Sequence, residues 1–292
     1  MSTWRPWLAA SRIRTLPAAV TPVLVGAGLA DGDDVFRWDA FAWALLGAVA
    51  LQVAANFAND ASDARRGADS PGRLGPPRMV ALGEITPRRM WAATWTAVGV
   101  AAIAGIALTI IAGPVILIIG VSSLLAMLGY VGGPAPYGYR GLGEVFTFGF
   151  FGLVATVGSR YVHDMTAPVD SWLLAIPIGM LVTAILVVNN LRDIETDAAA
   201  GKRTLAVIVG PRHTRLLYAS LVLGAFALIA LFALAGWTPP QTALAALIAT
   251  GSAGSIRAVY RERGPALNRV LAQTAGLHLV TGVALALATA IS

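Results

Sequence analysis

The chain has 292 residues, 57% of them hydrophobic and only 12% charged, about half the charge a soluble domain typically carries. With a mean hydropathy of +0.72 it cannot coat itself with enough polar surface for water, so a soluble globular domain is excluded. The net charge of +6 does not point to nucleic acid, because the basic residues are dispersed between apolar runs of membrane-spanning length.

A bilayer-crossing helix needs about 20 mostly apolar residues. The chain therefore predicts an all-α integral membrane protein, a bundle of about nine transmembrane helices, over 15–30, 40–58, 90–112, 114–130, 145–162, 172–191, 216–234, 242–255 and 270–291. The eighth run is short and the first carries Pro17 and Pro22, so the count can be eight to ten. Basic residues, an apolar run and small residues at 26–30 are also the ingredients of a cleaved signal peptide, but the two prolines interrupt the run. Trp4, Trp7 and Trp38 stand where interfacial tryptophans usually do.

Charge placement tests the count. With the N-terminus in the cytoplasm, all of the 21 basic residues except Arg37 and Arg160 fall on the cytoplasmic side. This positive-inside bias supports nine spans within a single domain (1–292), N-terminus cytoplasmic and C-terminus outside.

The loops after the second and sixth spans are the long ones, and both begin with acidic residues at helical spacing. The first reads Asn59-Asp60-Ala-Ser-Asp63-Ala-Arg65-Arg66-Gly67-Ala-Asp69; the second runs from Asn190-Leu-Arg192-Asp193 through Glu195 and Asp197 to Gly201-Lys202-Arg203. Asp63 and Asp197 each precede a glycine by four residues, and the segments 59–89 and 190–215 read as an internal pseudo-repeat. Asp60 with Asp63, and Asp193 with Asp197, are three and four apart, spacings that bring side chains on a helix to about 5–6 Å. Carboxylates converging at one membrane face repel each other. Hard oxygen ligands favour Mg²⁺, which typically takes a few carboxylates plus substrate phosphates. Arg65, Arg66, Arg73, Lys202 and Arg203 would then meet the remaining oxygens of a diphosphate. The alternative, solvated helix ends with ordinary ion pairs, fits any one of these residues better than it fits both clusters, since ionisable groups at the ends of apolar helices are costly unless paired or functional.

Between them lies Tyr130-Val-Gly-Gly-Pro134-Ala-Pro136-Tyr137-Gly-Tyr139-Arg140-Gly-Leu-Gly143-Glu144, where Gly and Pro forbid a continuous helix. It reads either as a rigid turn with a topology-setting arginine or as the place where Arg140 binds an anionic or phenolic acceptor against an aromatic wall. Arg12 and Arg14 fit a positive-inside anchor, and His163 and Asp164 fall on the far face, away from any chemistry. With no cysteine, and with His163, His213 and His278 far apart, thiolate chemistry and a His-rich zinc site are excluded.

Asn59-Asp60-x-x-Asp63 and Asp193-x-x-x-Asp197-x-x-x-Gly201-Lys202 together resemble the UbiA superfamily of intramembrane aromatic prenyltransferases. Arg14-Thr-Leu-Pro, Gly75-Pro-Pro-Arg78, the Gly-Gly-Pro to Glu144 loop and Asn189-Asn190-Leu-Arg192-Asp193 resemble its 1,4-dihydroxy-2-naphthoate branch. The broader superfamily often has a third aspartate four residues after the second; here position 67 is glycine and the next acid is Asp69. The resemblance implies that Asp63 and Asp197, with Asp60, Asp193 and Asp69, hold Mg²⁺ on a polyprenyl diphosphate, and that Lys202 and its basic neighbours stabilise the departing diphosphate. It also implies that Asn59, Tyr139, Arg140 and Asn190 orient dihydroxynaphthoate, that CO₂ is lost, and that the isoprenoid tail lies in an apolar groove open to membrane lipid. The setting it implies is menaquinone synthesis in a bacterial plasma membrane, with the active site facing the cytoplasm.

A sister enzyme with another acceptor, such as 4-hydroxybenzoate, is separated only by the Arg140 loop. A CDP-alcohol phosphotransferase would carry its aspartates in one compact motif. An ion-coupled transporter would carry acids near helix midpoints, whereas here the midpoints are apolar.

Overall fold

The computed structural model describes residues 4–65, 74–75, 77–132 and 136–292. We number the helices α1 (Arg5–Ser11), α2 (Pro17–Gly32), α3 (Trp38–Arg65), α4 (Pro87–Ala112), α5 (Pro114–Val131), α6 (Gly143–Asp164), α7 (Val169–Arg192), α8 (Ile194–Ala199), α9 (Leu205–Leu234), α10 (Pro240–Arg261) and α11 (Leu267–Ala290). Among the described residues α3, α4, α6, α7, α9, α10 and α11 are long and apolar enough to cross a membrane. The other two apolar runs are also helical but shorter: α5, and α2, which follows α1 through a 51° bend. Pro17 sits at the start of α2, where its missing N–H costs nothing.

Two helices differ from the expected spans for identifiable reasons. α9 starts at Leu205 rather than 216, but it breaks at Gly210 (φ 79°) ahead of Pro211. Proline has no N–H to give and its ring disfavours helical backbone at the residue before it; that residue is a glycine, free to take a positive φ with extended ψ, and a separate turn precedes the membrane helix. α3 runs on to Arg65, so Asn59, Asp60 and Asp63 are helical rather than part of a loop.

The best-packed core is in the C-terminal half, where Leu174 and Leu181 of α7, Val222 and Ile229 of α9 and Leu285 of α11 are fully buried. α2 packs into this half. A Cβ on Gly28 would fall 2.3 Å from the Ala286 carbonyl, and one on Gly282 would meet Thr21, the close backbone approach that small residues allow in membranes. A π-helical stretch, Phe148–Val154, interrupts α6 where Gly152 meets Gly179 of α7. At the far face Arg160 pairs with Asp33 and Asp164, and the His163 ring accepts from the Arg37 N–H. These contacts latch α2, α6 and the start of α3 together.

Candidate active site

α3 to α7, with α2 and α11, enclose a cavity of about 1460 Å³. Along α3 its wall is Ala44, Gly47, Ala48, Leu51, Gln52, Ala55, Asn56, Asn59 and Asp63, a three-to-four spacing that is one helix face, apolar and small at its far end and mostly polar from Gln52 onward. The small residues on that face make the room. From Ala44 to Asp63 the wall extends about 28 Å at 1.5 Å per residue, close to the thickness of the hydrocarbon core. One end is apolar and the other is crowded with charge.

Asp63 is the hub of the charged end. Arg78 Nη2 donates to its Oδ2 at 2.6 Å, and these two side chains are only 5% and 4% exposed. The Tyr139 hydroxyl donates to Oδ1 at 3.0 Å. Lys202 Nζ lies 3.5 Å from the same oxygen, 4.0 Å from Asp197 Oδ1 and 4.8 Å above the Tyr139 ring, within cation–π range. Gly201 (φ 72°) reverses the chain after α8, and the Lys202 N–H closes the turn on the Asp197 carbonyl at 2.8 Å. The lysine is thereby returned to the side chain of Asp197. Two carboxylates from distant parts of the chain share one ammonium.

Arg192 organises the opposite rim. It grips Asp193 through Nε and Nη2 and also donates to Asn268 and Asn189. Asn268 in turn donates to the Leu74 carbonyl at 3.0 Å. A Cβ on Gly75 would fall 2.7 Å from Arg192 Nη2, so Gly75 rests directly on the guanidinium.

Asn59, Asp63, Tyr139, Asn190, Asp193, Asp197 and Lys202 all line the cavity. Three other expected site residues are set apart from it. Asp60 is buried with both oxygens taken by the Met79 and Val80 N–H groups at 3.0 Å; it pins the turn that brings Arg78 to Asp63. Arg140 and Arg203 are exposed and outside the cavity wall, because the turn that carries Tyr139 inward leaves its neighbour outside. The Arg203 N–H donates to the Tyr139 carbonyl at 3.1 Å, so its backbone ties the two loops together. Asp69, Arg66 and Arg73 lie outside the described residues, as does the side chain of Arg65.

Arg78 and Arg192 are the site residues the sequence reading missed. Arg78 stands amid Pro77, Met79, Val80 and Ala81; a guanidinium in so apolar a setting needs a buried partner, and that was the available signal. On another wall Tyr137 and Phe146 stack at 3.9 Å, Phe150 continues the stack and Tyr130 meets Tyr137 edge-on. The Tyr137 hydroxyl donates to the Ala126 carbonyl at 2.6 Å, and burial pushes its pKa up to about 12, so it stays a donor throughout the physiological range.

Asp63 and Asp197 bring carboxylate oxygens to either side of the Lys202 ammonium at the cavity mouth, and oxygen donors of this kind are what a hard divalent cation takes. Among the described residues no three acidic or histidine side chains gather closely enough to hold a metal alone.

The pattern of the UbiA prenyltransferase family matches residues 19–285. The chain is 38% identical over 289 residues to the 1,4-dihydroxy-2-naphthoate octaprenyltransferase of Mycobacterium leprae, covering 98% of this chain and 96% of that protein. It is 36% identical over 296 residues to the protein of the same name from Escherichia coli, covering 97% and 94%. Among solved structures, a UbiA homolog from Archaeoglobus fulgidus bound to GPP and Mg²⁺ has the same fold, with a TM-score of 0.68 at 16% identity over 96% of this chain and 99% of that one.

Proposed function

The chain belongs to the UbiA prenyltransferase family, and from that premise we propose that it transfers a polyprenyl group from polyprenyl diphosphate to 1,4-dihydroxy-2-naphthoate, with loss of CO₂, giving demethylmenaquinol. The observation that carries this reading is the pairing of Asp63 and Asp197 around Lys202 at the mouth of a largely apolar cavity nearly as long as the hydrocarbon core of a bilayer is thick. That shape matches an amphiphile with a doubly charged head and a long hydrocarbon tail. The similarity to dihydroxynaphthoate enzymes over nearly the whole chain supports the choice of acceptor.

In this reading the diphosphate lies at the mouth against Lys202, Arg78 and Arg192, and the tail runs down the small-residue face of α3. Asp63 and Asp197 are the residues that would hold Mg²⁺, which would supply positive charge for the diphosphate oxygens when the allylic C–O bond breaks. Lys202 offers a preorganised charge to the leaving group in a site that excludes bulk water, where such a charge counts most. The allylic cation is taken by the ring carbon that bears the carboxylate, and the ring recovers its aromaticity as CO₂ leaves. The aromatic wall of Tyr137 and Phe146 excludes water that would otherwise capture the cation. The positive-inside bias supports a cytoplasmic mouth in a bacterial plasma membrane.

The test offers octaprenyl diphosphate and Mg²⁺ with equal amounts of dihydroxynaphthoate and 4-hydroxybenzoate to the purified protein in lipid. Mass spectrometry is expected to find octaprenyl demethylmenaquinol alone. Prenylated 4-hydroxybenzoate as the main product would keep the chemistry and overturn the acceptor.

A further inference from the structure

Glu144 opens α6 and is 6% exposed, yet it touches none of the groups at the charged mouth. Its Oε1 accepts from Asn190 Nδ2 at 2.8 Å, and its Oε2 is buried without a hydrogen-bond partner among the described residues. A half-satisfied buried carboxylate is costly, so its presence needs a reason. It stands outside the cavity wall, behind Asn190 and Tyr130, which are part of that wall.

The consequence for Asn190 follows from the chemistry of an amide. One end donates and the other only accepts. An acceptor oxygen facing a carboxylate would be repelled, so Glu144 holds the amide with its nitrogen inward and its carbonyl turned away. Asn190 is 5% exposed and borders the cavity, which makes that carbonyl an acceptor for a bound hydroxyl. Tyr130 is seated beside this pair: a Cβ on Gly143 would lie 3.5 Å from its ring and 3.7 Å from its hydroxyl, and one on Gly138 would lie 2.7 Å from its backbone oxygen. The two glycines thus admit the ring that carries the stack onward to Tyr137 and Phe146.

We propose that Glu144 is a positioning residue that sets the hydrogen-bonding sense of the acceptor subsite, locking Asn190 so that its carbonyl receives a hydroxyl of a planar aromatic acceptor lying against Tyr130, Tyr137 and Phe146. This rests on the aromatic prenyltransferase reading above. The diphosphate is held elsewhere, so the effect of Glu144 is confined to the acceptor. Loss of the lock removes one directed hydrogen bond, about a tenfold change in affinity.

The test uses E144M, which fills the same space without an acceptor, and E144Q, which retains one. Binding of dihydroxynaphthoate is followed by its own fluorescence in the lipid-reconstituted protein, alongside KM values for both substrates. E144M is expected to weaken acceptor binding about tenfold and to leave the KM for prenyl diphosphate within twofold. The wild-type preference for dihydroxynaphthoate over its mono-O-methyl ethers is also expected to vanish. E144Q is expected to stay within about threefold of wild type. Parallel losses for both substrates, a preserved hydroxyl preference in E144M, or an E144Q as impaired as E144M would overturn the proposal. Should E144M fail to fold, E144Q paired with N190L decides: N190L must show the acceptor-selective loss that E144Q lacks, and equal effects from the two overturn it. A wild-type protein that binds dihydroxynaphthoate without prenylating it would sink the functional reading and leave this comparison intact. One that does not bind it would overturn both.

Discussion

Replacing Asp63 or Asp197 by asparagine is expected to lower the rate of demethylmenaquinol formation by about 10²–10³-fold, the scale on which removing one preorganised electrostatic group acts. Asparagine keeps the shape and one oxygen but loses the charge. At position 63 that charge answers three groups at once, Arg78, Tyr139 and Lys202. At position 197 it completes the pair that flanks the Lys202 ammonium. Because both carboxylates serve the same bound head group, the double variant is expected to be little worse than the poorer single one, as is usual for residues that act as a unit. Initial rates measured by mass spectrometry on the four proteins check this. Losses that multiply would mean that the two carboxylates work at separate sites.

The second large effect concerns stability. Arg78→Met leaves Asp63 buried with its charge uncompensated on one side, a change that costs about 3–5 kcal/mol. In a chain of this size that corresponds to a fall in melting temperature on the order of 10 °C. Lysine is not expected to restore the pair, because its shorter side chain ends in a more strongly hydrated charge that is costlier to bury beside Asp63. The diagnostic measurement is the double variant R78M/D63N, whose thermal unfolding in detergent is expected above that of R78M alone, since it removes both members of the buried pair. A double variant that melts lower still would show that Asp63 holds the mouth together through Tyr139 and Lys202 rather than through Arg78.

The helices were legible because burial in lipid requires long apolar runs, and each predicted run is helical, including α5, which is short. The break in α9 was also written in the sequence, as Gly210-Pro211, but hydropathy averages across a proline and placed the start at 216. The site was legible only in part. Spacing put Asp60 and Asp63 on one helix face, and the structure gives Asp63 to the cavity and Asp60 to two backbone amides. Spacing cannot distinguish a carboxylate that awaits a ligand from one that caps a turn, because both are short acids in the same helix. Arg140 and Arg78 make the converse case. Each is an arginine after a proline-containing segment, and the fold exposes one and buries the other. Glu144 was visible as the last residue of a glycine-rich loop, but its partner Asn190 comes from α7, and only the tertiary structure joins them.

The most direct test of the central claim measures demethylmenaquinol formation in lipid vesicles against free Mg²⁺, from EDTA-treated protein to saturation, for wild type and for D63N/D197N. Wild-type activity is expected to be absent without the ion and to rise with it to a plateau, while the double variant stays at least about 10²-fold lower at every concentration. Undiminished activity in EDTA, or a double variant that follows the wild-type curve, would contradict the assignment of Asp63 and Asp197 to a cation-dependent diphosphate site.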